Sequence, residues 1–387
     1  MTFVVITGSL GKTTTKDLIA AALATEGPTT KTPRTSNGLD GVPETLMSVR
    51  PDDRFAVIEV GIGDQPGEMR WLASLVEPDV AVLSMLTNDH VIAYRTVERV
   101  AREKRALLER VRAHGTVVLY ADDPLCRSMA EGLRAKVVRT GTRDDADVRL
   151  LDARLAWPHG LDVSIDAFGE RMSGRVGLHA LHLAPLAPLA VAAAAACGVP
   201  PARTLAAIAD YVPEDGRMRP VARPNGSIIL ADDCKSRPHS ARAAIRALGA
   251  TAAERRIAVH GGIQNEPQTV ETYREPALLL REHADVLVTV GECAGPYREL
   301  LAGTELGATQ VSLERPSEVA DWLARELRPR DVALLHGDGE AHLARARLRL
   351  DGVHVRCDVR RCKLRRSCYT CTFLATRGPP APFVDAA

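Results

Sequence analysis

The chain has 387 residues, with 50 Lys and Arg against 49 Asp and Glu, for a formal net charge of +1. That balance offers no general field for nucleic acid or for an anionic membrane surface, and no segment approaches the ~18 consecutive apolar residues of a membrane span. The length accommodates two domains with full hydrophobic cores, and eight Cys in a chain of this size suggest thiols or metal ligands rather than a disulfide framework.

Phe3 to Ile6 is a short apolar run rich in β-branched residues and reads as a buried strand. Gly8, Ser9, Leu10 and Gly11 form a turn, and from Thr13 the pattern is helical, with Leu18, Ile19 and Ala22 on one face. A strand, a glycine loop, a Lys and a Thr at a helix start are the parts needed to hold a triphosphate. The amides of Gly8, Ser9 and Gly11 and of the helix start face the phosphates, Lys12 neutralises the β- and γ-phosphates, and Thr13, followed by Thr14, can ligate Mg²⁺. The general form of this loop has Gly where Ile6 stands. Because the loop begins so close to Met1, no signal peptide is expected, and the protein is expected in the cytoplasm.

Thr29 to Pro43 is polar and turn-rich, carries Asn37, and is positioned to lie near the phosphates. Phe55 to Val60 is a second strand with Glu59 at its end. In a parallel sheet, strand ends converge on one crevice, which gives Glu59 a metal role. Asp79 to Leu83 is a third strand, followed by a loop carrying Asn88, Asp89 and His90. Val97 to Val111 reads as a helix in which Lys104, between Glu103 and Arg105, has by spacing alone the place of a surface lysine on a charged face.

Thr116 to Tyr120 is a further strand, and residues 148–178 read as antiparallel strands around W-P-H-G at 157–160. Two Ala-rich helices follow, at about 185–197 and 201–211. Gly216, Arg217 and Pro220 mark a break in composition, so the first domain is expected over 1–215. A second α/β domain over 216–350 has strands at Ile228–Asp232, Ile257–His260, Val286–Val290 and Val332–His336. The tail, 351–387, holds Cys357, Cys362, Cys368 and Cys371 within a basic segment. These four thiolates suit a tetrahedral Zn²⁺ site, with an iron–sulfur cluster, two disulfides or a disordered tail as alternatives, and the segment is a candidate for docking a protein partner.

The residues resemble those of the Mur ligases, ATP-dependent amide-forming enzymes of peptidoglycan synthesis, and most of all the members that add D-Ala-D-Ala. T-G-S-L-G-K-T-T-T-K at 7–16 resembles the family's ATP loop, which tolerates the missing early Gly. N-G-L-D-G-V-P-E-T-L at 37–46, A-V-I-E-V-G at 56–61, and G-E-M at 67–69 followed by P-D-V-A-V-L at 78–83 are similar to the motifs that come next. His90 and Lys104 stand fourteen residues apart, the interval between the family's metal-binding His and its carbamylated Lys. In the second half, G-R at 216–217, D-D-C-K-S-R-P-H-S at 232–240, R-I-A-V-H-G-G at 256–262 and L-L-H-G-D at 334–338 resemble family motifs more loosely.

The resemblance implies an α/β fold: a P-loop Mur-ligase-like central ATPase domain and a smaller Rossmann-like C-terminal domain. It implies ATP, two Mg²⁺ and CO₂ as a lysine carbamate. Thr13 would serve the first Mg²⁺, and Glu59, His90 and carbamylated Lys104 the second, which reverses the surface reading of Lys104. Asn37, Arg217, Asp232 and His336 would join the nucleotide contacts. The substrates would be a small-molecule acid and amine, joined through an acyl phosphate.

Three departures shape further expectations. The family's N-terminal UDP-sugar domain has no counterpart here, so a small acid, an amino acid or a peptide is expected in place of a UDP-muramyl substrate, with a poly-γ-glutamate-like ligase of specialised metabolism as a sub-case. The adenine motif reads H-L-A-P-L at 182–186, and His336 replaces a Lys. These changes motivate a rival reading, a nucleotide-binding partner subunit that has lost turnover. Retention of Lys12, Thr13, Glu59, His90 and Lys104 argues against it.

Overall fold

A computed structural model describes residues 1–63, 65–87, 94–360, 362, 364, 367–376 and 378. The chain divides into two compact units, Met1–Val212 and Pro213–Ala387. The division falls just before the Gly216–Arg217 break because Asp215 is tied to the second unit, pairing with Arg219 and Arg347. Among the described residues no helix is long and apolar enough to cross a membrane.

The first unit is built on a nine-stranded sheet. Its strands are β1 (Thr2–Thr7), β2 (Thr29–Lys31), β3 (Phe55–Glu59), β4 (Val80–Leu83), β5 (Thr116–Tyr120), β6 (Lys136–Gly141), β7 (Val148–Leu155), β8 (Leu161–Ala167) and β9 (Glu170–Val176), in the order β2-β3-β1-β4-β5-β6-β7-β8-β9. Pairing is parallel from β2 to β7. It becomes antiparallel from β7 to β9, the segment whose helix periodicity is lost in the sequence.

Successive side chains of a strand face opposite sides of the sheet, and here both sides are covered, so the central strands are apolar throughout. Val4 and Ile6 pack with Leu18, Ile19 and Leu23 of the helix Lys12–Leu23 and with the helix Leu186–Ala196. Val5, Ile58 and Val60 face the other way, toward Met69, Leu72, Val100 and Leu107 of the helices Glu68–Ser74 and Val97–Leu108. The chain leaves β1 for β2 and β3 on one flank and then crosses to β4 on the other. The end of β1 is therefore the switch point of the sheet, where a crevice opens outside the strand ends.

The second unit carries a six-stranded sheet of β10 (Arg219–Ala222), β11 (Ile228–Asp232), β12 (Arg255–Gly261), β13 (Val286–Val290), β14 (Val311–Leu313) and β15 (Asp331–Gly337), ordered β10-β11-β15-β12-β13-β14. Only the edge strand β10 runs antiparallel. The described part of the tail lies on this unit. Arg345 donates to the Val359 carbonyl at 2.7 Å, and the Arg356 and Cys357 amides donate to the Leu374 carbonyl at 2.7 and 3.0 Å.

The Ala-rich helix Leu186–Ala196 supplies the widest apolar cover of the first sheet, and its Leu189 is fully buried. Leu189→Ala is expected to cost roughly 2–5 kcal/mol, the lost transfer energy plus the cavity left behind. Urea denaturation followed by circular dichroism measures it, and a midpoint equal to the wild type would contradict the packing described.

Candidate functional site

The loop at the end of β1 is shaped by two close approaches. A Cβ on Gly8 would lie 2.0 Å from the Ser84 hydroxyl oxygen, and Gly11 holds a left-handed φ of 77° at the start of the helix Lys12–Leu23. Neither position admits a larger residue without displacing the loop. Ser84 anchors the turn by donating to the Leu10 carbonyl at 2.5 Å, while the Ser9 amide donates to the Met85 carbonyl at 2.8 Å. The helix therefore begins with its amides toward the crevice. Lys12 curls back, its Nζ 2.9 Å from the Gly8 carbonyl and 3.3 Å from that of Ser9. Ser9, Thr13 and Thr14 are buried.

Glu59, at the end of β3 and 1% exposed, gathers the polar groups of this region. Its Oε1 accepts from the Thr13 hydroxyl at 3.1 Å and from the Asn37 amide at 2.6 Å. Its backbone N–H donates to Thr32 at 2.9 Å. Its Oε2 lies 3.8 Å from the ammonium of Lys16, a fully buried lysine that also sits 3.4 Å from Asp17 and donates to the Arg34 carbonyl at 2.5 Å. That same Oε2 is buried with no hydrogen-bond donor among the described residues. A buried carboxylate oxygen held this way is costly unless a cation uses it.

The structure thus brings Thr13, Asn37 and Glu59 together beside the loop that holds Lys12. Lys104 is 1% exposed, so it is not the surface lysine that spacing alone suggests. It lies on the inner face of its helix with Val100, Ala101, Leu107 and Leu108. The helix is fixed by Glu103, which accepts from the Gly67 and Met69 amides at 2.8 and 3.1 Å. His90 lies outside the described residues. Sequence reasoning misses Lys16 as a partner of Glu59. Its only sign is its place at the end of the T-T-T-K run, one helical turn after Lys12.

One carboxylate and one hydroxyl beside a phosphate loop suit Mg²⁺, which takes one or two carboxylates and fills its octahedron with phosphate oxygens and water. Glu59 Oε2, which has the Lys16 ammonium at 3.8 Å but no hydrogen bond among the described residues, fits that use. Among the described residues no group of three or more His, Cys, Asp or Glu side chains forms a complete metal site.

In the second unit, Asp232, His336 and His260 stand in register at the ends of three adjacent parallel strands. His336 Nδ1 is 2.9 Å from Asp232 Oδ2, and the Met218 amide donates to Asp232 Oδ1 at 3.3 Å. His260 packs against His336 with ring centroids 5.6 Å apart and against Tyr297 at 5.5 Å. Burial pushes His260 down to about 3, which keeps it neutral. Arg217 follows Gly216, whose φ of 72° and lack of a side chain let the turn lie against Asp233 and Cys234. Burial raises the Asp233 carboxyl to about 6.

Cys357 is buried, and Cys368 Sγ lies 3.5 Å from His342 Nδ1, a pairing the sequence spacing does not reveal. Cys357, Cys362, Cys368 and Cys371 are not joined in disulfides. The segment instead packs along the helix Leu343–Leu350, where Arg347 lies over the Tyr369 ring at 4.7 Å.

Known proteins resemble this chain in both units. The Mur ligase middle domain matches residues 6–177, and the Mur ligase, glutamate ligase domain matches residues 216–339. The UDP-N-acetylmuramoyl-tripeptide–D-alanyl-D-alanine ligase of Mycobacterium leprae (strain TN) is 27% identical over 373 residues, covering 87% of this chain and 70% of that protein. The enzyme of the same name from Mycobacterium tuberculosis (strain ATCC 25618 / H37Rv) is 29% identical over 369 residues, covering 89% and 71%. Among solved structures, MurF from Acinetobacter baumannii superposes with a TM-score of 0.81 at 21% identity, covering 90% of this chain and 76% of that one. MurF ligase from Thermotoga maritima in complex with ADP gives 0.77 at 21% identity, covering 91% and 79%. At that identity the structures speak for the fold.

These relatives overturn one expectation. A small acid, an amino acid or a peptide is expected in place of a UDP-muramyl substrate, yet the proteins matched along nearly the whole chain carry UDP-N-acetylmuramoyl-tripeptide in their names. The physical reason is that the ATP loop and the bond-forming groups act on a carboxylate and an amine. What is attached far from the carboxylate leaves no mark on them.

Asp233 yields a stability prediction. Its folded pKa of about 6 lies above the 3.8 of an ordinary Asp carboxyl, so the folded state binds the proton more tightly and the chain loses stability as pH rises between those values. Relative to the wild type, Asp233→Asn should gain roughly 3 kcal/mol between about pH 4 and pH 7. Calorimetry of both proteins across that window reads the difference, and a pH-independent difference would contradict the burial assigned to this carboxyl.

Proposed function

We propose, for a chain that belongs to the Mur ligase family and is an ATP-dependent, ADP-forming amide ligase, that the acid is a UDP-sugar-linked peptide and the amine is D-Ala-D-Ala. The names of the relatives that match nearly nine-tenths of this chain support that choice of substrates. The observation that carries the site assignment is the convergence of Thr13, Asn37 and Lys16 on Glu59 at the sheet's switch point, beside the loop bearing Lys12.

In the proposed reaction, a carboxylate oxygen of the acid attacks the γ-phosphorus of ATP, the bond to the β-phosphate oxygen breaks, and ADP leaves. The amine nitrogen then attacks the acyl carbon, phosphate departs with the C–O bond electrons, and the nitrogen gives up a proton. Lys12 moves from the carbonyls of Gly8 and Ser9 to the phosphate oxygens, where its charge offsets the charge that develops. The Gly8 amide and those from Gly11 to Thr13 orient the triphosphate in line with the attacking carboxylate, while the Ser9 and Leu10 amides hold the turn on the Met85 carbonyl. Asn37 and Lys16 keep the Glu59 carboxylate in one orientation.

Two Mg²⁺, one held by Thr13 and the other by Glu59 with His90 and Lys104, would supply charge neutralisation on the phosphoryl oxygens. A lysine ammonium at Lys104 would repel a divalent cation, whereas a carbamate formed there from CO₂ attracts it, so we assign Lys104 the carbamylated form. In the second unit, Arg217, Asp232 and His336 are assigned to contacts with the nucleotide.

ADP release that requires both UDP-N-acetylmuramoyl-tripeptide and D-Ala-D-Ala, with a product mass equal to their sum less one water, is the expected result. ADP release unaffected by the amine would overturn the ligation step, and ligation of only other acid–amine pairs would overturn the substrate choice. Lys104→Ala should lower turnover about 100-fold or more, with partial recovery on adding a short carboxylic acid, and the wild type should slow in CO₂-depleted buffer. Unchanged turnover in Lys104→Ala would remove the carbamate from the mechanism.

A further inference from the structure

The tail's main contact lies at the corner of the second unit where the Gly216–Arg217 turn meets Asp232 and Asp233. Tyr369 stands in a short turn of helix at Cys368–Thr370, beyond the matched domain. Its hydroxyl is 2.9 Å from one Asp233 oxygen and 3.0 Å from the other. Its ring lies under the Arg347 guanidinium, which in turn pairs with Asp215 at 2.9 Å. A Cβ on Gly216 would fall 2.5 Å from Asp233 Oδ1 and 3.2 Å from Tyr369 Cε2, so the phenol, the carboxylate and the turn are packed as one piece. Asp233 is 5% exposed. Tyr369, at the edge of the tail, thus reaches a carboxylate that is almost wholly buried.

We propose that Tyr369 is a positioning residue of the ligase, contributed by the C-terminal segment, which fixes Asp233 and through it the Gly216–Arg217 turn and the neighbouring Asp232. A hydrogen bond to an ionised carboxylate is worth more than one between neutral groups, and both oxygens of Asp233 share this one donor. The same donor favours the charged form of Asp233 against the burial that disfavours it. The other charged or titratable groups facing Asp233 are Asp232, which opposes its ionisation, Arg347, which favours it, and the Cys234 thiol beside Gly216. Phe at position 369 would keep the stacking on Arg347 and remove only the donor. The catalytic part of this proposal rests on the reading that Arg217 and Asp232 serve the reaction; the contact itself does not.

The test uses the full chain as wild type, Tyr369→Phe, Asp233→Asn, and Thr370→Ala as an exposed neighbour. Hydrogen–deuterium exchange over 214–220 and 228–237 needs no substrate. Tyr369→Phe should speed exchange in both segments by about tenfold, the loss of one charge-assisted hydrogen bond, while Thr370→Ala matches the wild type. In ADP formation, Tyr369→Phe should move the acid limb of kcat/KM to higher pH, and Asp233→Asn should abolish that limb. Exchange and pH profile both unchanged in Tyr369→Phe, or an acid limb retained in Asp233→Asn, would overturn the proposal. A wild type that releases no ADP with any acid–amine pair would instead sink the ligase reading, and the positioning role with it, while a faster exchange in Tyr369→Phe would still show the contact.

Discussion

The first unit depends on one buried carboxylate. Glu59 sits at the end of a central strand, almost without exposure, and carries a charge that the apolar sheet around it cannot solvate. Three neighbours make that tolerable. Thr13 and Asn37 share its Oε1, and the Lys16 ammonium, equally buried, faces its Oε2. They come from two pieces of chain: Thr13 and Lys16 from the helix after β1, Asn37 from the segment after β2. The carboxylate therefore ties the phosphate loop to the 32–37 segment, and the Arg34 carbonyl on Lys16 is the second knot in that tie. Removing any one partner leaves a buried charge or a buried polar group unpaired, which costs several kcal/mol and is felt by the others.

The topology explains why these groups meet. Placing β1 between β3 and β4 forces the chain to reverse its direction of travel across the sheet at the phosphate loop, and residues at neighbouring strand ends fall into one crevice. The second unit uses the same device with a different electrostatic outcome. There Asp232, His336 and His260 line up across β11, β15 and β12, the His260 imidazole is held neutral by burial, and Asp233 is raised toward neutrality. At these strand ends the first unit pairs its buried charges, while in the second burial works against charge on His260 and Asp233.

Much of this was legible in the sequence because the signals were local. The strand–glycine–lysine run needs no tertiary information, and the apolar alternation located β5, β11 and β13 to the residue. Glu59 could be singled out because a strand end in a parallel sheet has only one place to point. The short edge strands β2, β10 and β14 carry too few residues for a periodic signal and were not read. Lys104 illustrates a different limit: between two charged neighbours its spacing suggests solvent, and only resemblance to a family corrected that, in agreement with its burial. In the tail, composition draws the eye to four thiolates, while the contacts that fold it back, Cys368 on His342 and Tyr369 on Asp233 (136 positions earlier), leave no local signal. No window of sequence contains both Tyr369 and Asp233.

The folded-back Lys12 has a consequence for which anions the loop admits. With its ammonium already satisfied by two carbonyls of its own turn, the side chain does not present a bare cation to solution. An incoming anion must supply enough contacts to repay the two it displaces. A lone sulfate or chloride reaching only the helix amides gains little by that exchange, whereas a chain of linked phosphates spans the amides and the released ammonium together. On the proposed nucleotide role, the turn would favour a chain of linked phosphates over a single small anion.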